Sequence, residues 1–286
     1  MKCLTTLLFF IVPAILLSQS MQLNIGAGII NYGGDLQDKN FTFQQSNAAF
    51  SLGLSYIISD HFSVTAAYTT GKVSASDTRT KNYTRNLSFQ SNINEGSLVL
   101  EAQLKEINDL NKFTPYIFGG VAVFHFNPYT FDTAGTKFYL QPLKTEGQGL
   151  AQYPDRKQYT LTQFAIPFGV GAKYAVSQGI TLSAEIGFRK LFTDHLDDVG
   201  SKTYADTAIL RSQYGDVSAN LSFRGDEVNP PQVFSTKLTR GNPNRKDSYY
   251  TCLIKVSFAL GNSSASLRSN SSKKMRKQSS CPPKVL

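Results

Sequence analysis

The sequence predicts an all-β protein: an eight-stranded antiparallel transmembrane β-barrel with short periplasmic turns and long extracellular loops. Eight segments alternate apolar and polar residues, and each has about 11–14 residues, enough for a tilted strand to cross a bilayer. The predicted strands are Gln22–Tyr32, Asn47–Ile58, Phe62–Val73, Glu95–Ile107, Phe113–Phe126, Thr162–Ala175, Gly179–Lys190 and Tyr249–Leu260. Because their number is even, both ends of the barrel chain are expected on the same side of the membrane.

The connections between these strands alternate between short and long. The predicted tight turns are Ser59–His61, Asn108–Lys112 and Val176–Gln178, and the predicted long connections are Gly33–Ser46, Ser74–Asn94, Asn127–Leu161 and Leu191–Ser248. Outer-membrane barrels sort their loops in this way, with the short turns in the periplasm. A water-soluble sandwich has no reason to do so.

The first twenty residues predict a secretory signal peptide. Lys2 is followed by the apolar run Leu4–Leu17, which is too short to cross a bilayer as a helix, and small residues precede Met21. An uncleaved anchor helix is the alternative. The expected organisation is a signal peptide over 1–20, an outer-membrane barrel over 21–260 and a basic periplasmic tail over 261–286.

Alternation also assigns the faces of the strands. The apolar faces are expected to contact lipid, with tyrosine rings near the strand ends at the membrane interface: Tyr32, Tyr56, Tyr68, Tyr116, Tyr174 and Tyr250. The fifth strand is apolar on both faces, so its orientation stays open. Because eight strands leave room for little more than side chains, we expect a paired charge network in the lumen. Its predicted members are Glu101, Glu185, Arg189 and Lys255. The alternative is that these charges form the selectivity element of a pore.

The stretch 261–286 differs from the rest in composition. It has no acidic residue and holds six of the nine formal net positive charges. Such a tail attracts acidic partners, and nucleic acid is not expected in the periplasm. The predicted partner-binding residues are Lys273, Lys274, Arg276, Lys277 and Cys281. Cys281 could form an intermolecular disulfide in an oxidising compartment; an inert, solvated tail is the alternative.

No catalytic constellation is visible, so we expect no enzymatic activity and no cofactor. His61, His125 and His195 have no partners at metal-ligand spacing, which argues against a zinc site. A cluster of acids, Asp194, Asp197 and Asp198, could hold a hard cation through oxygen ligands. The alternative is turn chemistry, in which Asp side chains accept hydrogen bonds from nearby backbone N–H groups.

Two segments resemble motifs of a known family. Thr114–Phe124 reads TPYIFGGVAVF and precedes Asn127-Pro128, while Gly187–Val199 reads GFRKLFTDHLDDV and precedes Tyr204. With the early Gly33–Leu36, these segments resemble the PorG-like family of Bacteroidetes outer-membrane barrels of the type IX secretion system.

The resemblance implies a barrel in the cell outer membrane, surrounded by its lipid, that anchors periplasmic PorK/PorN-like ring proteins and so serves protein transport as a membrane anchor. The alternatives are an outer-membrane surface receptor or adhesin, or a narrow pore, acting through the long extracellular loops.

Overall fold

A closed antiparallel barrel of eight strands dominates the structure. The computed structural model describes residues 21–39, 41–108 and 110–260. The predicted signal peptide and the predicted tail lie outside the described residues. The barrel strands are β1 (Met21–Gly33), β2 (Asn47–Ile57), β3 (Phe62–Ser76), β4 (Ser88–Gln103), β5 (Phe113–His125), β8 (Thr162–Ser177), β9 (Ile180–Leu191) and β10 (Ser248–Leu260). The predicted fold class is confirmed.

The barrel is closed by pairing between its first and last strands. β1 and β10 pair antiparallel from Met21↔Leu260 to Gly33↔Ser248, and the remaining neighbours follow the order β1-β2-β3-β4-β5-β8-β9-β10. Closure leaves no unpaired strand edge, which is the condition for a sheet to cross hydrocarbon. Met21 and Leu260 lie on the rim that also carries the short turns.

One predicted connection is wrong. The β3–β4 hairpin continues in register to Ser76↔Ser88, so β4 begins seven residues before the predicted Glu95 and the loop spans only 77–87. Alternation persists through this extension, where Phe89, Ser91 and Ile93 are buried and face inward. The hairpin therefore extends the barrel wall beyond the other strands, at the end opposite the short turns.

The long loops fold together into a cap over the outer end of the barrel. We define the cap as residues 34–39, 41–46, 77–87, 126–161 and 192–247. It contains the short hairpin β6 (Tyr129–Phe131) and β7 (Lys137–Tyr139), and the helices α1 (Leu140–Leu143), α2 (Thr207–Tyr214) and α3 (Asp216–Ser222). β6 also bridges to β4 through Gln90↔Tyr129, so the cap continues the barrel sheet.

The predicted lipid face is an apolar belt on the outside of the barrel. The exposed side chains include Leu52, Leu100, Val170, Ile186 and Ile254. The undecided orientation of β5 is also resolved: Ile117, Val121 and Val123 point outward, and Tyr116, Phe118 and Phe124 are buried inside. A closed barrel with this belt is an outer-membrane protein, and its outer face contacts lipid.

The prediction that all six tyrosines lie at the lipid interface is wrong in part. Tyr56, Tyr68 and Tyr174 are exposed on the outside, as expected. Tyr32 and Tyr116 instead point into the barrel and are buried. Their rings fill interior space, and their hydroxyls reach buried carboxylates, so burial does not leave either hydroxyl without a partner.

The apolar core occupies the outer half of the lumen and the base of the cap. It stacks Phe124 on Phe126 and Phe126 on Tyr159, at centroid separations of 5.5 and 6.0 Å. Tyr32 packs edge-on against Phe89 at 4.9 Å. Barrel and cap therefore share one core, and the cap is fixed to the strands beneath it. Among the described residues, no helix has the length and apolarity needed to cross a bilayer.

Candidate functional site: the lumen and the cap

Two ion pairs line the half of the lumen nearer the short turns. Lys173 Nζ lies 2.6 Å from Glu101 Oε2, and Lys255 Nζ lies 2.6 Å from Glu185 Oε2. The Tyr116 hydroxyl donates to the same oxygen of Glu185 at 2.8 Å. Each carboxylate is thus paired with a cation, which a narrow interior requires because an unpaired buried charge is costly.

Glycines on β8 and β9 make room for these interior side chains. A Cβ at position 171 would lie 2.5 Å from the Tyr116 ring, and one at position 187 would lie 2.6 Å from Arg189 Nη1. Gly171 and Gly187 are therefore the positions where a large side chain from a neighbouring strand or residue crosses the lumen.

A third ion pair, which we call the clamp, lies farther from the short turns. Arg189 and Glu95 form a bidentate pair, with Nε–Oε2 and Nη2–Oε1 distances of 3.0 Å. The Tyr249 hydroxyl donates to Glu95 Oε2 at 2.5 Å, and Arg189 Nη1 donates to Thr251 Oγ1 at 2.8 Å. Glu95 is 0% exposed and Arg189 4%. The clamp is a fully desolvated charge pair with its hydrogen bonds made, directly below the apolar core.

The structure places all four predicted lumen residues inside the barrel but does not join them into one network. Glu185 and Lys255 contact each other, whereas Glu101 pairs with Lys173 and Arg189 pairs with Glu95. Glu95 was missed because the predicted strand began there. The inward alternation from Phe89 to Glu95 is the signal that could have identified it.

Little space remains in the charged half of the lumen. The cavity among Asn24, Ser55, Glu101 and Lys255 has a volume of about 20 Å³, and a vestibule of about 80 Å³ opens at the short-turn rim beside Asp60 and other polar residues. A cavity of the smaller size holds about one water molecule. The charged half thus has room for little more than single water molecules, and it ends at the clamp.

A second charge cluster holds the cap together around Glu146. Arg240 Nε lies 3.0 Å from Glu146 Oε1, and His195 Nε2 lies 3.6 Å from Oε2. The backbone N–H groups of Gly200 and Ser201 also donate to Oε1, at 3.1 and 2.9 Å. Burial opposes ionisation, but His195 and Arg240 outweigh it and lower the pKa of Glu146 to about 2. Glu146 is therefore a buried carboxylate that stays charged.

The predicted acidic segment connects the barrel to this cluster. Asp197 Oδ2 accepts from the Tyr32 hydroxyl at 2.5 Å, and Asp197 Oδ1 accepts from Val199 N at 2.9 Å. Asp198 Oδ1 accepts from the Tyr159 hydroxyl at 2.7 Å, and its other oxygen accepts from Thr145. The Asp197–Val199 bond is the local turn contact of the alternative interpretation.

The acids of this segment titrate far from their ordinary range. Burial raises the pKa of Asp197 to about 8 and that of Asp194 and of Asp198 to about 6. Asp247, whose Oδ1 lies 3.1 Å from the Tyr32 hydroxyl oxygen, also has a raised pKa because it is buried and close to Asp197. Burial alone would lower the pKa of His195, but Glu146 outweighs it and raises that pKa.

The three candidate metal ligands do not converge on one point. Asp197 and Asp198 are bound to hydroxyl and N–H donors, and Asp194 lies 3.6 Å from Lys246 Nζ. Within 21–39, 41–108 and 110–260, no group of three or more His, Cys, Asp or Glu residues is arranged to hold a metal ion. The contacts of these acids are hydrogen bonds and an ion pair within the folded protein.

The remaining candidates that the structure describes lie apart from this centre. Lys273, Lys274, Arg276, Lys277 and Cys281 fall outside the described residues. Cys252 is a free, half-buried thiol in β10. The ring of His61 lies 3.2 Å from the Gln103 carbonyl oxygen at the short-turn rim. The ring of His125 lies 3.1 Å from Thr162 Oγ1, which is a strand-to-strand contact.

The clamp predicts a large penalty for removing one partner only. Arg189→Ala should lower the free energy of unfolding by about 3–5 kcal/mol, because Glu95 would remain buried without a counter-charge. Urea unfolding in detergent micelles, monitored by far-UV circular dichroism, measures this change in the free energy of unfolding. The double variant Arg189→Met/Glu95→Met should recover much of the loss, and Arg79→Ala, which removes an exposed arginine, is the matched control. An Arg189→Ala loss no larger than that of the control would contradict the clamp.

The cap acids predict that the cap loosens as the pH rises. Asp194, Asp197 and Asp198 have folded pKa values above their unfolded values, so their ionisation in the folded cap opposes folding from about pH 4 to pH 8. The His195–Glu146 pair contributes stability at low pH that is lost as His195 deprotonates. Hydrogen-exchange protection of 192–247 should therefore fall between about pH 4 and pH 8.

Two variants separate this effect from general base sensitivity. Asp197→Asn, which resembles the protonated acid, should flatten the pH dependence, whereas Asp155→Asn removes an exposed acid and should leave it unchanged. Protection that is constant or rises with pH in the unsubstituted protein would show that the buried acids do not control the cap.

The comparison with known proteins identifies a family whose function is not assigned. Residues 1–223 match the family model described as a domain of unknown function (DUF6089). None of the curated proteins matches the chain. Among solved structures, the chain is similar to Neisserial surface protein A (10% identity, 84% of this chain and 97% of that chain, TM-score 0.43). It is also similar to the attachment invasion locus protein Ail of Yersinia pestis (9%, 83% and 96%, TM-score 0.39) and to OprG of Pseudomonas aeruginosa (10%, 84% and 97%, TM-score 0.35).

The barrel assignment rests on the strand pairing of this chain. The family match covers most of the sequence and includes all barrel strands except β10. The chain therefore belongs to the DUF6089 family.

Proposed function

We propose that this protein is a non-enzymatic outer-membrane barrel that anchors a periplasmic ring of the type IX protein secretion system. The observation that carries the proposal is the position of Leu260. It pairs with Met21 on the rim of short turns, so the basic segment 261–286 leaves the barrel on the side where a periplasmic partner would meet it. The net positive charge of that segment attracts an acidic partner.

The closed interior supports a role for the surfaces of the barrel. The clamp and the apolar core fill the lumen above the small polar cavities. Such a barrel offers no path for a transported chain, so a task in secretion has to be carried out by its rim, its tail or its cap.

The two family-like motifs fit this division of roles. Thr114–Phe124 forms β5 and contributes the interior residues Tyr116 and Phe124, and Gly187–Val199 contributes Arg189 and the acidic segment of the cap. Both motifs thus contribute to closing the barrel. Residues that recognise a partner are then expected outside them, and the rim and tail are the parts on the periplasmic side.

Besides the basic tail, the periplasmic side offers exposed apolar side chains on the short-turn rim. Leu110 is 97% exposed at the tip of the β4–β5 turn, and Ile58 and Leu104 are exposed nearby. Within this turn, Asn108 Oδ1 accepts from Asn111 N at 2.8 Å. A basic segment that follows Leu260 and a partly apolar rim together suit docking to a protein ring.

A surface receptor acting through the long loops is the second candidate. The cap has a small core of its own, in which Ala205, Leu210 and Ala219 pack against Tyr153 and Tyr214. An ordered outer surface of this kind suits recognition of an extracellular ligand. The two candidates use opposite ends of the barrel, so variants of one end do not disturb the other.

The anchor proposal predicts that deleting 261–286 leaves the barrel folded but releases its periplasmic partner. Co-purification from outer membranes is the measurement, and heat-modifiable migration on gels checks the fold. Replacing Lys273, Lys274, Arg276 and Lys277 by Gln should also release the partner. In the unsubstituted protein, salt should weaken the association, because the attraction is screened over roughly 8 Å at physiological ionic strength. Cys281→Ser should weaken the association less, and mainly under oxidising conditions.

Two controls locate the contact. Leu110→Ser tests the rim without altering tail charge, and Lys157→Gln removes an exposed lysine of the cap. If the truncated barrel still co-purifies with the ring at full yield in high salt, the tail is not the anchor. Loss of an extracellular ligand in cap variants, with ring binding intact, would favour the receptor.

A further inference from the structure

A row of aromatic rings lies on the outer surface of the barrel, just below the cap. Phe168, Phe188 and Tyr250 occupy paired positions on β8, β9 and β10, and Phe41 of the cap covers Tyr250. The centroid separations are 5.9 Å for Phe168–Phe188, 5.9 Å for Phe188–Tyr250 and 4.7 Å for Phe41–Tyr250. These rings form a continuous apolar floor at the height where aromatic side chains mark the interface of a barrel.

Cations line the side of this floor that faces away from the membrane. Lys190 is two residues beyond Phe188 on the same face of β9, and Arg245 and Lys246 lie just before β10. With the exposed ring of Phe192, they enclose an open groove of about 640 Å³. We call this feature the outer groove. It is apolar towards the hydrocarbon and basic towards the water.

The nearby acids leave the outer groove positive. Asp194 lies 3.6 Å from Lys246 Nζ, so it offsets part of that charge. Asp247 lines the groove but is buried; its carboxylate accepts a bond from Leu196 N and lies 3.1 Å from the Tyr32 hydroxyl. Lys190 is exposed and has no ion pair or side-chain hydrogen bond among the residues that the structure describes.

We propose that the outer groove binds an anionic lipid of the outer leaflet. The phosphate of its headgroup would contact Lys190 and Lys246, and an acyl chain would lie across Phe168 and Phe188. Lysine ammonium groups recognise phosphate as point charges, and basic pockets at the membrane surface bind lipid headgroups in this way. A membrane lipid fits better than a soluble anion because the aromatic floor is continuous with the lipid-facing belt.

The site is independent of the anchor proposal. The outer groove is at the cap end of the barrel, whereas the tail follows Leu260 at the opposite rim. A lipid held against β8–β10 and Phe41 would brace the cap from the membrane side, since Phe41 belongs to the cap and Phe188 to the barrel. Failure of either proposal leaves the other intact.

The test uses the full chain in nanodiscs of phosphatidylcholine that contain a small fraction of a bis-phosphorylated glycolipid of the lipid A type. Native mass spectrometry counts the glycolipid that stays bound. The protein should retain it in preference to its dephosphorylated form. Lys190→Gln/Lys246→Gln should lower its affinity roughly tenfold, because each basic residue near an anionic headgroup contributes about 1 kcal/mol and Asp194 already offsets part of Lys246.

Matched variants make the result decisive. Lys190→Glu alone should also lose the glycolipid, and it breaks no ion pair or side-chain hydrogen bond among the described residues. Lys157→Gln/Lys237→Gln, two exposed lysines of the cap, should retain it. Equal retention of the dephosphorylated form, equal loss in the control variant, or unchanged binding in Lys190→Glu would overturn the proposal. Displacement of the glycolipid by millimolar inorganic phosphate would assign the site to a soluble anion instead.

Discussion

The buried ion pair between Arg189 and Glu95 is the interaction on which the interior of this protein depends. Both charges are removed from water, so each needs the other as well as the hydrogen bonds from Tyr249 and to Thr251. The pair spans the lumen between β9 and β4. Below it the barrel interior is polar and contains only small cavities; above it the aromatic core begins and continues into the cap. The clamp therefore separates a polar environment from an apolar one and closes the lumen between them.

The cap is built by the same physical rule as the lumen. Glu146, Arg240 and His195 form a second buried charge cluster, and the acids of the segment 194–198 take their bonds from tyrosine, threonine and backbone donors. Tyr32 joins the two parts, because its ring lies in the barrel and its hydroxyl donates to Asp197. The long loops are consequently an ordered structure. The cap thus presents an ordered outer surface, and the raised pKa values of its buried acids predict that its stability depends on pH.

The barrel could be predicted from the sequence almost completely, whereas the interior could be predicted only in part. Period-two alternation locates strands because lipid and lumen impose opposite polarity on successive residues, and this works well for β9, where Phe188 and Arg189 point to opposite sides. It fails where both faces are apolar or aromatic, so β5 stayed undecided and Tyr116 was placed outside. Glu95 was missed for a related reason: above the membrane the outside of β4 is polar, and the strand start was placed too late. The fold of the cap depends on contacts between distant loops, such as Glu146 with Arg240, for which no local pattern exists.

The claim that this barrel works through its surfaces and not through its lumen depends on closure. Single-channel recording of the purified protein in planar bilayers tests it most directly. We expect no steady conductance, and none after removal of the α2–α3 part of the cap, because the clamp and the aromatic core remain in the barrel. A steady, ohmic conductance that scales with salt concentration in the unsubstituted protein would contradict it.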